Sequence, residues 1–186
     1  GGWRELREPF NIDFRANTSS WWLIAQRFLF LLGIYGVQSF AQYYLRDVLK
    51  VENPVKTTGD LLAALTVALV ALAVAGGWLA DRFGAKRVLY AASLLASVGL
   101  VLLWLAPTPL VLVINGSVFG AGVGLFLTSS WALANKLAPK GEAGKYLGLT
   151  NLATAGSGAL ARLEGPAIDA LNAAHPGLWL GYLAMF

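Results

Sequence analysis

Apolar residues dominate this chain in long runs, and polar residues gather in short segments between them. A helix needs about 20 mainly apolar residues to cross a hydrocarbon core of roughly 30 Å. The pattern therefore predicts six membrane spans, at about residues 21–45, 61–80, 88–106, 109–135, 144–163 and 177–186. Pro107 and Pro109 divide the uncharged stretch 88–135, because proline removes a backbone donor and disfavours helix before it. The last run is too short to cross, so we expect a fragment with a truncated sixth span.

The distribution of basic residues predicts the orientation of these spans. Residues 1–20 are polar and lack the apolar core and cleavage site of a signal peptide. We interpret them as a soluble loop or short surface helix, and the bias of basic residues makes them a cytoplasmic segment. Lysine and arginine concentrate in cytoplasmic loops. One side of the membrane holds Arg4, Arg7, Arg15, Arg82, Lys86, Arg87, Lys136, Lys140 and Lys145, and the other holds Arg46, Lys50, Lys56 and Arg162. This bias predicts a cytoplasmic N-terminus in a multi-pass protein of the cell membrane, plasma or inner.

Composition excludes several classes of protein. The 186 residues are 57% hydrophobic and 13% charged, whereas a soluble domain carries roughly 25% charged residues. The chain has no cysteine, which excludes disulfide frameworks and thiol chemistry. Its net charge of +4 is dispersed, so we expect no nucleic-acid partner. No paired carboxylates, metal-ligand cluster, nucleophile elbow or phosphate loop stands in the sequence, and we expect no enzyme activity, cofactor or metal.

A short segment after the second span carries the most specific pattern in the chain. It reads G-x-x-x-D-R-x-G-x-K-R and consists of Gly77, Asp81, Arg82, Gly84, Lys86 and Arg87. Gly77 lets a neighbouring helix approach, and Gly84 permits a sharp turn. Asp81 ends a helix, where the macrodipole disfavours an anion, so it needs a partner from elsewhere. The basic residues contact that partner region, contact anionic lipid or fix the topology.

This segment resembles the signature loop of the major facilitator superfamily, which follows the second helix of each six-helix half. The resemblance implies an all-α membrane protein, a six-helix half of a twelve-helix fold built as a 3+3 inverted repeat. It also implies a secondary active transporter that works by alternating access, as a symporter with a proton or sodium as the coupling ion. The partners would be a small solute, the lipid bilayer and the missing half of the same polypeptide.

The resemblance extends to the choice of half. The segment from Arg27 to Val48 is similar to the central loop and seventh helix of sugar-type members. An N-terminal fourth helix in this family usually carries an arginine where Ile114–Gly116 stands here. We therefore assign the chain to helices seven to twelve, with the N-terminal half as the alternative.

Polar residues within the spans are the candidates for a substrate cavity. Tyr35, Gln38 and Gln42 share one face of the first span, Asn115 lies in the fourth and Asn151 in the fifth. Amide and phenol groups both donate and accept hydrogen bonds, as recognition of a polar, sugar-like solute requires. The alternative is that they bond neighbouring helices, a contribution of roughly 0.6–2 kcal/mol each.

Two further expectations concern charge inside the membrane. Arg27 lies six residues into its span, and we expect it to snorkel to the cytoplasm or contact a cytoplasmic gate rather than bind substrate. No carboxylate lies in the middle of a span, so the carrier of a coupling proton would belong to the missing half. A membrane scaffold or receptor of the same fold, without transport, is the alternative function.

Overall fold

The computed structural model describes residues 18–139 and 141–183, and the secondary structure of this part of the chain consists of helices joined by short connections. Residues 1–17 of the predicted cytoplasmic segment 1–20 and the last three residues of the predicted sixth span lie outside the described residues. The helices are α1 Thr18–Asp47, α2 Pro54–Phe83, α3 Ala85–Trp104, α4 Pro109–Leu137, α5 Ala143–Arg162, α6 Gly165–Ala174 and α7 Leu180–Leu183.

Capping residues explain where α2 and α4 begin. Asn53 accepts a hydrogen bond from the Lys56 amide at 3.0 Å, and proline occupies the first turn of α2. Thr108 accepts from the Val111 amide at 3.3 Å, again with proline in the first turn. Such side chains satisfy amides that have no partner inside the helix. Helix α2 therefore starts seven residues before its apolar run at 61, outside the predicted span.

Hydropathy separates α5 from the helices before it. Among the described residues, α1 to α4 are long and apolar enough to cross a membrane. Helix α5 has 20 residues, about 30 Å at 1.5 Å per residue. Lys145, Asn151 and Arg162 lower its hydropathy. A helix of this kind suits a position against protein or a water-filled cavity rather than lipid.

Glycines bring α4 into close contact with α2 and α3. Gly116, Gly120 and Gly124 lie along one face of α4 and meet α2 at Leu61, Leu65 and Leu69 in the same order, so the two helices are parallel. On another face of α4, a Cβ at Gly122 would lie 2.5 Å from the amide nitrogen of Ala96 on α3. Small residues allow this approach, which is a common basis of packing between membrane helices.

Helix α1 forms a second parallel pair, with α5. The rings of Trp21 and Tyr146 lie 6.4 Å apart at one end, and Phe40 packs on Gly165 just beyond the other end of α5. In a 3+3 inverted repeat, α1 corresponds to α4 and α2 to α5. The pair α1–α5 is therefore the counterpart of α4–α2, as the fold class expected from the sequence requires.

A short helix lies between the predicted fifth and sixth spans. Helix α6 has ten residues, and its Ile168 packs with Tyr44 and Tyr182 in a small buried cluster. The hydroxyl of Tyr182 donates to Asp47 Oδ2 at 2.7 Å. These contacts hold α6 and α7 against the end of α1.

Candidate functional site

A polar cavity of about 570 Å³ lies between α1 and α5. Helix α1 contributes Tyr35, Gln38 and Ser39, and α5 contributes Asn151, Thr154 and Arg162, with three small residues beside them. The structure therefore brings together three of the predicted cavity residues, Tyr35, Gln38 and Asn151. Asn151 and Thr154 lie within two residues of the centre of α5, so the cavity reaches the middle of the helix pair.

The exposure of these side chains shows that the cavity is open. Gln38, Ser39 and Asn151 are exposed, and Tyr35 is half-buried with its ring packed at 3.5 Å from the Cβ position of Gly158. Polar groups at membrane depth face protein or a water-filled space, because hydrocarbon offers them no hydrogen bonds. This face of the α1–α5 pair is therefore suited to a polar solute or to a further protein surface.

Gln42 and Asn115 do not join the cavity. Gln42 is exposed one turn further along α1 than Gln38, outside the lining. The amide of Asn115 donates to the Leu102 carbonyl of α3 at 2.7 Å. Asn115 therefore lies on the side of α4 that faces α3. It bonds a neighbouring helix, which is the alternative to a role in the cavity.

Arg27 is buried inside the helix bundle. It is 2% exposed, so the expectation that it snorkels to the cytoplasm is wrong, while its contact with a cytoplasmic gate stays a prediction. Its Nε donates to Thr154 Oγ1 at 3.1 Å, its Nη1 donates to Ser130, and its Cζ lies 4.7 Å above the ring of Trp131. These hydroxyls and this ring hold the guanidinium inside the bundle. Arg27 thereby connects α1, α4 and α5.

The signature segment forms the connection between α2 and α3. Gly84 alone separates the two helices, with φ of +90°, a conformation that other residues rarely adopt. Arg82 and Lys86 lie over aromatic rings of their own helices, Trp78 at 5.1 Å and Tyr90 at 5.9 Å.

The acidic residue of this segment has no partner in the described part of the chain. Asp81 is exposed and makes neither a side-chain hydrogen bond nor an ion pair there. Arg87 is exposed as well. The close helix approach expected at Gly77 occurs instead at Gly76, where a Cβ would lie 3.2 Å from Thr128. The predicted need of Asp81 for an outside partner stays a prediction.

Comparison with known proteins agrees with this arrangement of helices and loop. The family description of the Major Facilitator Superfamily matches residues 1–161. The chain belongs to the major facilitator superfamily.

Two proteins of similar sequence are named as transporters. A probable sulfoacetate transporter, SauU of Cupriavidus necator, is 33% identical over 131 residues, which are 65% of this chain and 30% of SauU. YwtG of Bacillus subtilis, whose name assigns it to metabolite transport, is 34% identical over 96 residues, 52% of this chain and 21% of YwtG. The chain spans less than a third of either relative. No solved structure matches it.

Membership of this superfamily gives the cavity and the loop a common context. The chain is a multi-pass membrane protein of a family of transporters, and the names of its relatives describe transport of small solutes.

Sequence reasoning missed Ser130 and Trp131, which hold Arg27 from α4, and Arg162, which lines the cavity. Isolated serines and tryptophans of an apolar span carry no signal of such a role.

Proposed function

We propose that this chain is the C-terminal six-helix half of a facilitator, helices seven to twelve, that moves a small polar solute across the cell membrane. The observation that carries the proposal is the polar cavity between α1 and α5. Secondary transporters bind solutes near the middle of the bilayer, between their repeats. The cavity there contains the amide groups of Gln38 and Asn151 and the phenol group of Tyr35. These groups carry no fixed charge and can orient a solute by donating and accepting hydrogen bonds.

Alternating access requires that two arrangements of the protein differ in free energy by little. Asp81 at the end of α2 supports such a device, since the carboxylate has no partner in the described part of the chain. The N-terminus of a helix in the other half would stabilise this anion in one arrangement only. The cytoplasmic loop then acts as a latch between the two halves.

The coupling ion follows from the same chemistry. No carboxylate lines the cavity in the described part of the chain. A symporter of this design therefore takes its coupling proton or sodium ion on the other half. The N-terminal orientation toward the cytoplasm completes the proposal, on the bias of basic residues.

Reconstitution tests the proposal. Vesicles holding this chain alone are compared with vesicles in which the other half is co-expressed, and uptake of labelled polar solutes is measured. We expect saturable uptake only with both halves, and a loss of uptake in Gln38→Ala and Asn151→Ala. Asn135→Ala, an exposed amide of α4 outside the cavity, serves as the control.

Three outcomes would contradict parts of the proposal. Uptake by this chain alone would exclude the assignment to one half. Uptake that both cavity variants leave unchanged would exclude the cavity as the solute site. Binding of solutes without uptake by the two halves together would favour a scaffold or receptor.

A further inference from the structure

Two arginines lie at the cavity between α1 and α5, one in its lining and one behind its wall. Arg162 is one of the lining residues, in the last turn of α5. Arg27 stands directly behind the wall, because its Nε bonds to Oγ1 of Thr154, which lines the cavity. No aspartate or glutamate is among the lining residues in the described part of the chain. The charged groups at this cavity are therefore all cationic.

Within the described part of the chain, no carboxylate neutralises the charge of Arg27. Its described partners are the hydroxyls of Ser130 and Thr154 and the ring of Trp131. It forms no ion pair with any residue of 18–139 or 141–183, and its Nη2 has no hydrogen bond there. A buried charge without a counter-charge is costly, even where hydrogen bonds compensate part of the desolvation. A negative charge in the cavity would thus be stabilised by Arg27.

Arg162 extends this charge toward the end of α5. It is exposed and forms no ion pair in the described part of the chain. It follows Thr154 by eight residues, about 12 Å along the helix. Glu164, two residues later, packs its carboxylate against Gly36 and does not line the cavity. An arginine at the rim of a cleft raises the local concentration of anions.

We propose that the solute is a small organic anion with a carboxylate or sulfonate group, a conclusion that rests on the transport function proposed above. Arg162 attracts the anion, and the acid group settles beside Thr154 in the field of Arg27. Gln38 and Asn151 bond the rest of the molecule. The volume, about 570 Å³, lies in the range of small-molecule sites. This solute class differs from the sugar-like solute that the sequence predicts.

One of the named relatives has a name that indicates the same chemistry. SauU is named as a probable sulfoacetate transporter, and sulfoacetate carries one carboxylate and one sulfonate. A solute with two acid groups could use both arginines of the cavity, one at the rim and one behind Thr154. A neutral sugar would use neither, and would leave the charge of Arg27 without a counter-charge.

Ligand-induced stabilisation of the complete transporter, purified in detergent, tests this inference. The probes are sulfoacetate and succinate as acids, and glucose and glycerol as neutral compounds. A ligand that binds only the folded protein raises its melting temperature. We expect the acids to raise it and the neutral compounds to have no effect. Arg162→Gln should weaken acid binding about tenfold, the loss expected for one charge-assisted hydrogen bond.

Matched variants separate local from general effects of charge. Lys56→Gln removes one positive charge from the exposed Lys56–Asp60 pair at the start of α2 and should leave acid binding unchanged. Arg27→Gln should weaken acid binding as well. Because Arg27 also holds three helices together, Arg162→Gln decides the question if the Arg27 variant fails to fold.

The outcomes distinguish this inference from the proposed function. If glucose or glycerol raises the melting temperature and is taken up, while the acids do neither, the solute is not an organic anion. The proposed transport function would remain. Acid binding that Arg162→Gln leaves unchanged would also overturn the assignment of the charge. A folded complete transporter that neither binds nor takes up any probe would contradict both.

Discussion

Gly120 of α4 lies directly against the backbone of Leu65 in α2. A Cβ at Gly120 would stand 2.9 Å from the carbonyl carbon of Leu65 and would overlap its oxygen. Backbone atoms cannot give way as the end of a flexible side chain can. The spacing of α2 and α4 therefore depends on the absence of a side chain at this position.

Substitution of this glycine should destabilise the bundle. We expect Gly120→Ala to lower the free energy of unfolding by about 1–3 kcal/mol, the usual effect of overpacking. Gly33→Ala is the control, because nothing lies within 4 Å of a Cβ at that position, and helix propensity favours alanine. Thermal unfolding in detergent measures both. Equal melting temperatures for the two variants would show that the close contact has no effect on stability.

The proposed role of Asp81 as a latch between the two halves predicts that a variant loses transport while its expression level stays normal. Asp81→Asn removes the charge that a helix N-terminus would stabilise in one arrangement. We expect lower uptake by the complete transporter at normal expression. Asp60→Asn, at the opposite end of α2 and paired there with Lys56 at 2.8 Å, is the matched control. Unchanged uptake in Asp81→Asn would limit the role of Asp81 to topology.

Membrane orientation can be tested with single cysteines. The chain contains none, so Glu52→Cys and Glu142→Cys report their own positions in a background without other cysteines. Both side chains are exposed, in the α1–α2 and α4–α5 connections respectively. The basic residues predict that an impermeant thiol reagent labels Glu52→Cys on intact cells and Glu142→Cys only after lysis. The reverse pattern would invert the topology.

The carboxyl of Glu164 gives a prediction about pH. Burial raises the pKa of Glu164 above its ordinary value, and a Cβ at Gly36 would lie 2.8 Å from its Oε2. The folded state then binds the proton more tightly than the unfolded state. Stability should therefore fall as pH rises from the unfolded pKa of about 4.3 through the raised value.

Glu164→Gln should remove this loss of stability. We expect the variant to melt at a higher temperature than the natural protein at pH 7, with a difference that shrinks as pH approaches 4. Glu52→Gln, which changes an exposed carboxyl, serves as the control. A difference in melting temperature independent of pH would contradict the role of the buried carboxyl.

Hydropathy and capping account for the part of the fold that the sequence could predict. The apolar runs and the two prolines around Thr108 place α1 to α4, because the membrane demands length and internal hydrogen bonding. Helix α6 escaped prediction because ten residues with Ile168 as their buried contact give no distinct apolar run. The glycines of α4, four residues apart at 116, 120 and 124, already contain the signal for close packing on α2.

Residue type and helix face predicted part of the lining of the cavity, Tyr35 and Gln38 on α1 and Asn151 on α5. Tyr35 and Gln38 are one turn apart and reach the same cavity. Asn115 looks equivalent by residue type, but its direction depends on α3, whose Leu102 carbonyl it contacts. Arg27 bonds Thr154 across 127 positions of sequence. Such contacts depend on which helices pack together, and a local sequence pattern does not contain this information.

The one-residue connection between α2 and α3 has a mechanical consequence. Gly84 leaves no slack between Phe83 and Ala85, and its backbone conformation is already confined to a region that few residues adopt. Because one residue joins the two helices, a movement of the end of α2 must also move the start of α3. A movement of the end of α2 that carries Asp81 would therefore reach α4 by two routes, directly from α2 and through α3.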